Sequence, residues 1–243
     1  MDLALTQARS WDLALAAAEA KVRASAGKTN RAQQVRMTAT RSSLAHLVPA
    51  AATAYHRNEI AHALRRVCSS SELYWNSMSE EEFVAPMGRA WSPADHVRHL
   101  TKSVRAVTHG LRAPRILLRV LFGRPKRGSM SYEALVATYH RALRNGGQAG
   151  RFTPSPTRIS GSAADYRREI LGVHRAQVTA LATRVLRWNR HQVDGLFMPH
   201  PLLGKLTVRE MLLFTLYHNQ HHVLVVARRR GEYFSDTTPL KDQ

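Results

Sequence analysis

Apolar residues recur every three to four positions along most of residues 56–231, the period of amphipathic helices. Over 56–78 they fall at Ile60, Ala63, Leu64, Val67, Leu73 and Trp75, which predicts a first helix. A loop over 79–90 carries Pro86 and Gly88 and ends at Trp91. The next helix has its start fixed locally: Ser92 is a good N-cap, Pro93 takes the first helical position, and Asp95 completes a capping box. Its stripe is Leu100, Val104, Val107 and Leu111. Residues 114–128 are an apolar run ending in a basic turn. That run either extends the preceding helix past a proline kink or lies across the bundle end as a short helix. In the second case Ile116, Leu117, Val120 and Leu121 would cover core or dimer surface, with membrane-surface association the weaker reading.

Residues 131–145 predict a short amphipathic helix stopped by Gly146 and Gly147, and 148–161 a long loop with Pro154 and Pro156. Ser162 and Asp165 repeat the capping-box spacing and open a helix through Ile170, Val173, Val178, Leu181, Val185 and Leu186. A loop over 193–205 then leads to the most informative stretch, 206–231. Thr207 and Glu210 form a capping box there, with Leu206 and Met211 as its hydrophobic staple. Arg228, Arg229 and Arg230 fall in the final turn, where cations suit the helix dipole, and Gly231 closes it. Apolar residues occupy most of the circumference, so this helix is expected at the centre of an all-α bundle rather than at its edge.

Composition alters the picture at the ends. Residues 1–48 stand apart: 3–22 is rich in Ala and Leu, and 23–43 contains no acidic residue. They are expected as an N-terminal extension, either a tail or the product of an upstream start codon with Met37 as the true beginning. The bundle is expected over 49–234, with a tail at 235–243. The first residues are acidic where a secretory leader needs cations, no apolar run is long enough to span a bilayer, and a cytoplasmic address is therefore expected. The single cysteine, Cys68, excludes an internal disulfide and any CxxC motif, so a bound metal must be held by His, Asp or Glu. A formal net charge of +19 would attract polyanions, yet the arginines are scattered and no nucleic-acid motif accompanies them. Specific nucleic-acid binding is not expected.

Thirteen histidines supply the candidate chemistry. His218 and His222 stand one turn apart on the central helix, so both can present nitrogens to one point, a common way to hold a divalent cation. A third ligand must come from elsewhere, and His99 is the candidate, beside the small residues Ser103 and Ala106. It lies near the start of its helix whereas the pair lies late in theirs, so the three meet only if the helices run antiparallel. His174 is expected as a satisfied or surface histidine. Glu210 and Asp95 are already accounted for as caps, so no general base is evident and no catalytic residue is named. Tyr217, Asn219 and Gln220 are candidate donors to the metal-binding imidazoles.

Two motifs, Trp91-Ser92-Pro93 followed by His99-Leu100, and residues 200–222 ending in the histidine cluster, resemble the DinB-like metalloprotein superfamily over about residues 56–230. The resemblance implies a four-helix bundle of up-down-down-up topology, frequently dimeric, that holds a divalent metal (Zn, Ni or Fe) with three histidines. Matched residue by residue, these are His99, His218 and His222, with His221 pointing away and His96 a near neighbour that could stand in. Similar proteins transfer low-molecular-weight thiols or isomerise small acids. The resemblance therefore implies a small-molecule transferase or hydrolase, with a thiol as a possible co-substrate; the alternative is a non-catalytic scaffold or stress-associated interaction protein.

Overall fold

The computed structural model describes residues 56–156 and 159–232. The expectations for residues 1–48 and 235–243 lie outside the described residues. Helix α1 spans Arg57–Asn76 and buries Ile60, Leu64, Val67, Ser71 and Tyr74, a stripe at alternating spacings of four and three, with Trp75 beside it. Leu73 was expected in that stripe but is 66% exposed, because position 74, three on from 71, takes the inward direction instead. The expected loop that follows contains a short helix, α2 (Glu80–Val84). Ser79 and Glu82 close a capping box at its start, and Phe83 drops into the core.

Helix α3 (Pro93–Gly110) begins where the Ser92–Asp95 box sets it. Of the two alternatives for 114–128, the chain adopts the separate helix, α4 (Arg115–Phe122). Only Leu118 of α4 is buried, so Ile116, Leu117, Val120 and Leu121 do not cover the core. Helices α5 (Tyr132–Arg144) and α6 (Ala163–Val185) follow, separated by a 3-10 turn at Gly150–Phe152. Val173 and Leu186 of the expected α6 stripe are exposed, while Leu171 is buried in the register that 178, 181, 182 and 185 define.

The described residues are mostly helical, with one small two-stranded sheet. Residues 193–205, expected as loop, hold the end of a short helix α7 (Arg190–Gly195) and an antiparallel hairpin, β1 (Phe197–His200) with β2 (Gly204–Thr207). Pro199 and Pro201 argue against a strand in the sequence, but this ladder has only two strands, so an N–H lost at an edge is tolerated. Gly204 takes a positive φ of 71°, which allows the chain to turn into β2.

The hairpin delivers the chain to α8 (Val208–Arg229), of whose 22 residues 18 are buried, so it presents almost no face to water. α8 packs on α1, α3 and α5, and α6 packs on α1 and α3. The start of α8 is anchored by Glu210, which is fully buried. Its carboxylate accepts from the Thr207 N–H at 2.7 Å, from the Met130 N–H at 2.6 Å and from both guanidinium nitrogens of Arg127. No helix among the described residues is long and apolar enough to cross a membrane.

Candidate metal centre

Helix periodicity brings two imidazoles from each of two helices together. On α8, His218 and His222 share a face; on α3, His96 and His99 do the same. The helices are antiparallel at this level, since the later residue of one pair meets the earlier of the other. Nε2 of His99 lies 3.1 Å from Nε2 of His218, which lies 3.0 Å from Nε2 of His222. His96 reaches the opposite nitrogen of His222, with Nδ1 to Nδ1 at 2.7 Å. All four rings are buried. The cluster whose nitrogens could share one ion is His99, His218 and His222.

Protonation follows from the partners. A backbone carbonyl only accepts, so the 3.0 Å contact of His99 Nδ1 with the Phe152 carbonyl places a proton on Nδ1. Burial lowers the His99 pKa and holds His218 and His222 well below the ordinary histidine value, with neighbouring imidazoles adding to the effect, so the rings are neutral. A neutral ring has one proton, and Nε2 of His99 therefore carries a lone pair into the cluster. Hydrogen bonding cannot satisfy what remains. Whichever ring donates, one of the two Nε2 contacts is left as a bifurcated bond or as facing lone pairs. No carboxylate or ammonium lies among the three. Neutral imidazoles converging on one buried point are the donor chemistry of a divalent transition-metal site, so these residues fit such an ion.

The surroundings hold the rings in place. The Trp91 ring lies 5.5 Å from that of His96, 5.1 Å from His99 and 6.4 Å from His222, covering the cluster on one side. The segment that carries Phe152 is tied to α3 by two more bonds, Lys102 to the Thr153 carbonyl and Arg98 to the Ser155 carbonyl. Sequence reasoning read this segment as plain loop, because a ligand-orienting group supplied by a backbone carbonyl leaves no residue signature.

Three residues expected to support the metal-facing imidazoles do other work. Asn219 bonds His174 at 3.0 Å, Gln220 accepts from the Tyr132 hydroxyl, and the Tyr217 hydroxyl meets His140 and His221. His174 is thus the satisfied histidine expected, buried between Asn219 and Thr101. His221 turns to Tyr217 and lies outside the cluster of three. His96 does not replace any of the three but stands behind His222, and its own Nε2 is buried without a hydrogen-bond partner among the described residues.

A cleft of about 170 Å³ opens beside the cluster. Its walls are largely apolar, including Val107, Met198, Leu202 and Phe214, with His99, His218 and His222 at one side and Arg151 on another. Gly110 makes room for the wall, since a Cβ there would overlap the terminal methyl of Met198. His200, in the quoted motif but without a role assigned from sequence, also lines the cleft. Its Nδ1 accepts the N–H groups of Leu202 at 3.2 Å and Leu203 at 3.1 Å, and burial lowers its pKa to about 4. The proton of this neutral ring therefore sits on Nε2, a donor held in place by the hairpin turn and by the Phe214 ring 4.4 Å away.

A family model described as the DinB superfamily covers residues 63–226, a span that includes all four imidazoles, Trp91, Phe152 and the hairpin. Neither the curated proteins nor the solved structures contain a match. The family model spans about two thirds of the sequence, and the chain belongs to the DinB superfamily.

Proposed function

We propose that His99, His218 and His222 hold one divalent cation through their Nε2 atoms, and that the protein is a metal-dependent transferase or hydrolase of small molecules. The observation that carries this reading is the convergence of three neutral, buried imidazole nitrogens at the wall of an apolar cleft. Three protein ligands leave room for water or substrate, the pattern of catalytic rather than closed structural sites. Zn, Ni or Fe suits the all-imidazole set. Such an ion supplies a bound water of lowered pKa, or a thiolate held and oriented as nucleophile.

The chain's own residues would then orient and enclose. The Phe152 carbonyl fixes the tautomer of His99, His96 steadies His222, Trp91 keeps water from one side, and His200 Nε2–H can donate to an acceptor oxygen on a molecule in the cleft. Among the described residues, no Asp, Glu, Lys or Cys lines that cleft. Cys68 is buried elsewhere, and burial, with the charge of Glu72, pushes its thiol up to about 11. A thiol nucleophile would therefore come from a low-molecular-weight co-substrate. The lack of such a base in the cleft favours the second reading, a non-catalytic scaffold or stress-associated interaction protein.

The proposed architecture is a four-helix bundle of α1, α3, α6 and α8 with up-down-down-up topology. Its support lies in which residues pair. Met78 and Glu72 meet Arg167 and Arg175, so α1 opposes α6; Tyr74 meets Glu232 at the shared ends of α1 and α8; α3 opposes α8 through the histidines.

Elemental analysis of protein purified without chelators is expected to give one divalent ion per chain. Conjugation of thiols to electrophiles should then run above blank with metal present. Metal without turnover selects the scaffold; no metal at all removes the enzyme reading. His96→Ala is expected to weaken metal binding by roughly 10- to 100-fold with stoichiometry intact, the usual cost of losing a group that orients a ligand. Complete loss of the ion in this variant would instead make His96 a ligand.

A further inference from the structure

We propose that α4 is a docking element for an anionic lipid surface. Four aliphatic side chains on one face of this eight-residue helix point into solvent: Ile116, Leu117, Val120 and Leu121 are 64%, 45%, 73% and 58% exposed. Their spacing of one and four gathers them into a single stripe, while Leu118 and Phe122 on the other side pack inward. A contiguous apolar stripe on a soluble face marks a contact surface.

Charge decides what the stripe contacts. Residues 96–132 contain nine Lys and Arg and no Asp or Glu, so the stripe sits in a field of one sign. Arg112, Arg119, Arg124 and Lys126 are exposed around it and form no ion pair among the described residues. Of the described acids in adjoining segments, Asp95 is engaged by Arg98, Asp194 by Arg209 and Glu210 by Arg127, which leaves Glu133 as the one exposed carboxylate beside nine cations. At the edge of the stripe, Arg115, Arg119, Arg124 and His191 line a groove beside Ile116 that suits a phosphate headgroup. A second copy of the chain would bring the same cations face to face. The first 55 residues carry seven Lys and Arg against three acids, so they do not complement the face either. Nucleic acid would answer the charge but leave four aliphatic side chains in water. An anionic bilayer answers both, with the stripe in the acyl boundary and the arginines at the phosphates.

The placement has a consequence for the cleft. α4 packs against β1, and Met198 and His200 of β1 wall the cleft beside the histidines. Docking through α4 would hold that cleft close to the lipid surface.

Cosedimentation of the full chain with vesicles tests the proposal. Binding to vesicles of phosphatidylcholine and phosphatidylglycerol is expected to exceed binding to phosphatidylcholine alone by about tenfold and to fall as salt is added. Ile116→Ser with Val120→Ser should weaken that binding by about tenfold while leaving the helical circular dichroism unchanged, because both side chains are exposed. In Leu117→Trp, the emission contributed by the new indole should shift to the blue on anionic vesicles only. Equal binding to both vesicle types, or binding indifferent to the double substitution, would overturn the proposal. So would a dimer in solution that the double substitution splits, or retention on heparin without vesicle binding.

Discussion

His218→Ala is expected to lose stoichiometric metal altogether. His218 Nε2 is the central atom of the cluster, within 3.1 Å of His99 Nε2 and 3.0 Å of His222 Nε2, so its removal leaves two nitrogens on different helices with no shared third. Loss of an orienting group already costs 10- to 100-fold in affinity, and loss of a ligand should cost about a thousandfold or more. Two measurements read this independently. Elemental analysis should fall from one ion per chain to background. Thermal unfolding of the parent should move upward as divalent cation is added, because an ion that binds only the folded chain stabilises it by mass action, whereas the variant should not respond. His218→Gln serves as a second variant that fills more of the space and distinguishes ligand loss from a packing defect. A variant that keeps one tightly held ion would refute the assignment of the three histidines.

What could be read from sequence was what local chemistry determines. The starts of α3, α6 and α8 follow from Ser92, Ser162 and Thr207 each capping an N–H three residues on. The His218–His222 pair follows from a spacing of four on a helix without a polar face. His99 could be found because the depth of each histidine along its helix fixes the direction of packing. The remainder depends on partners distant in sequence or on atoms that carry no sequence identity. His96 serves the second nitrogen of a residue 126 positions away. His99 is oriented by a carbonyl that any residue at 152 would supply. The β1–β2 hairpin was hidden by two prolines. Tyr217, Asn219 and Gln220 were expected near the metal-facing rings because they neighbour them in sequence, but successive helical positions point about 100° apart, so these three serve His140, His174 and Tyr132.

Glu210 shows how an adequate local explanation can conceal a larger role, and it leads to the second large expected effect. As a cap it needs only Thr207, yet its carboxylate is fully buried and also joins α8 to the segment around Arg127 and Met130. Glu210→Ala removes the capping box, worth about 1 kcal/mol, and leaves the Met130 N–H unpaired, worth a further 1–3 kcal/mol or so. Arg127 is about half exposed and can turn to water, so its side of the loss is small. A destabilisation of about 3 kcal/mol should lower the thermal midpoint by roughly 6–12 °C in a domain of this size. Acid provides the sharper test. Burial alone would raise the Glu210 carboxyl, but hydrogen bonds from Arg127, Met130 and Thr207, with the Arg127 charge, hold it below the ordinary carboxylate range. A carboxyl whose folded pKa is depressed contributes stability that is fully present above its unfolded value, near 4.3, and is lost as pH falls through the folded value. The parent should therefore lose stability steeply below about pH 4, and Glu210→Ala should lose less over the same interval. Because Glu210 lies two turns before His218, outside the imidazole cluster, folded Glu210→Ala should keep its full metal content. A midpoint within a degree of the parent, together with an unchanged acid slope, would reduce Glu210 to the simple cap that its spacing suggests.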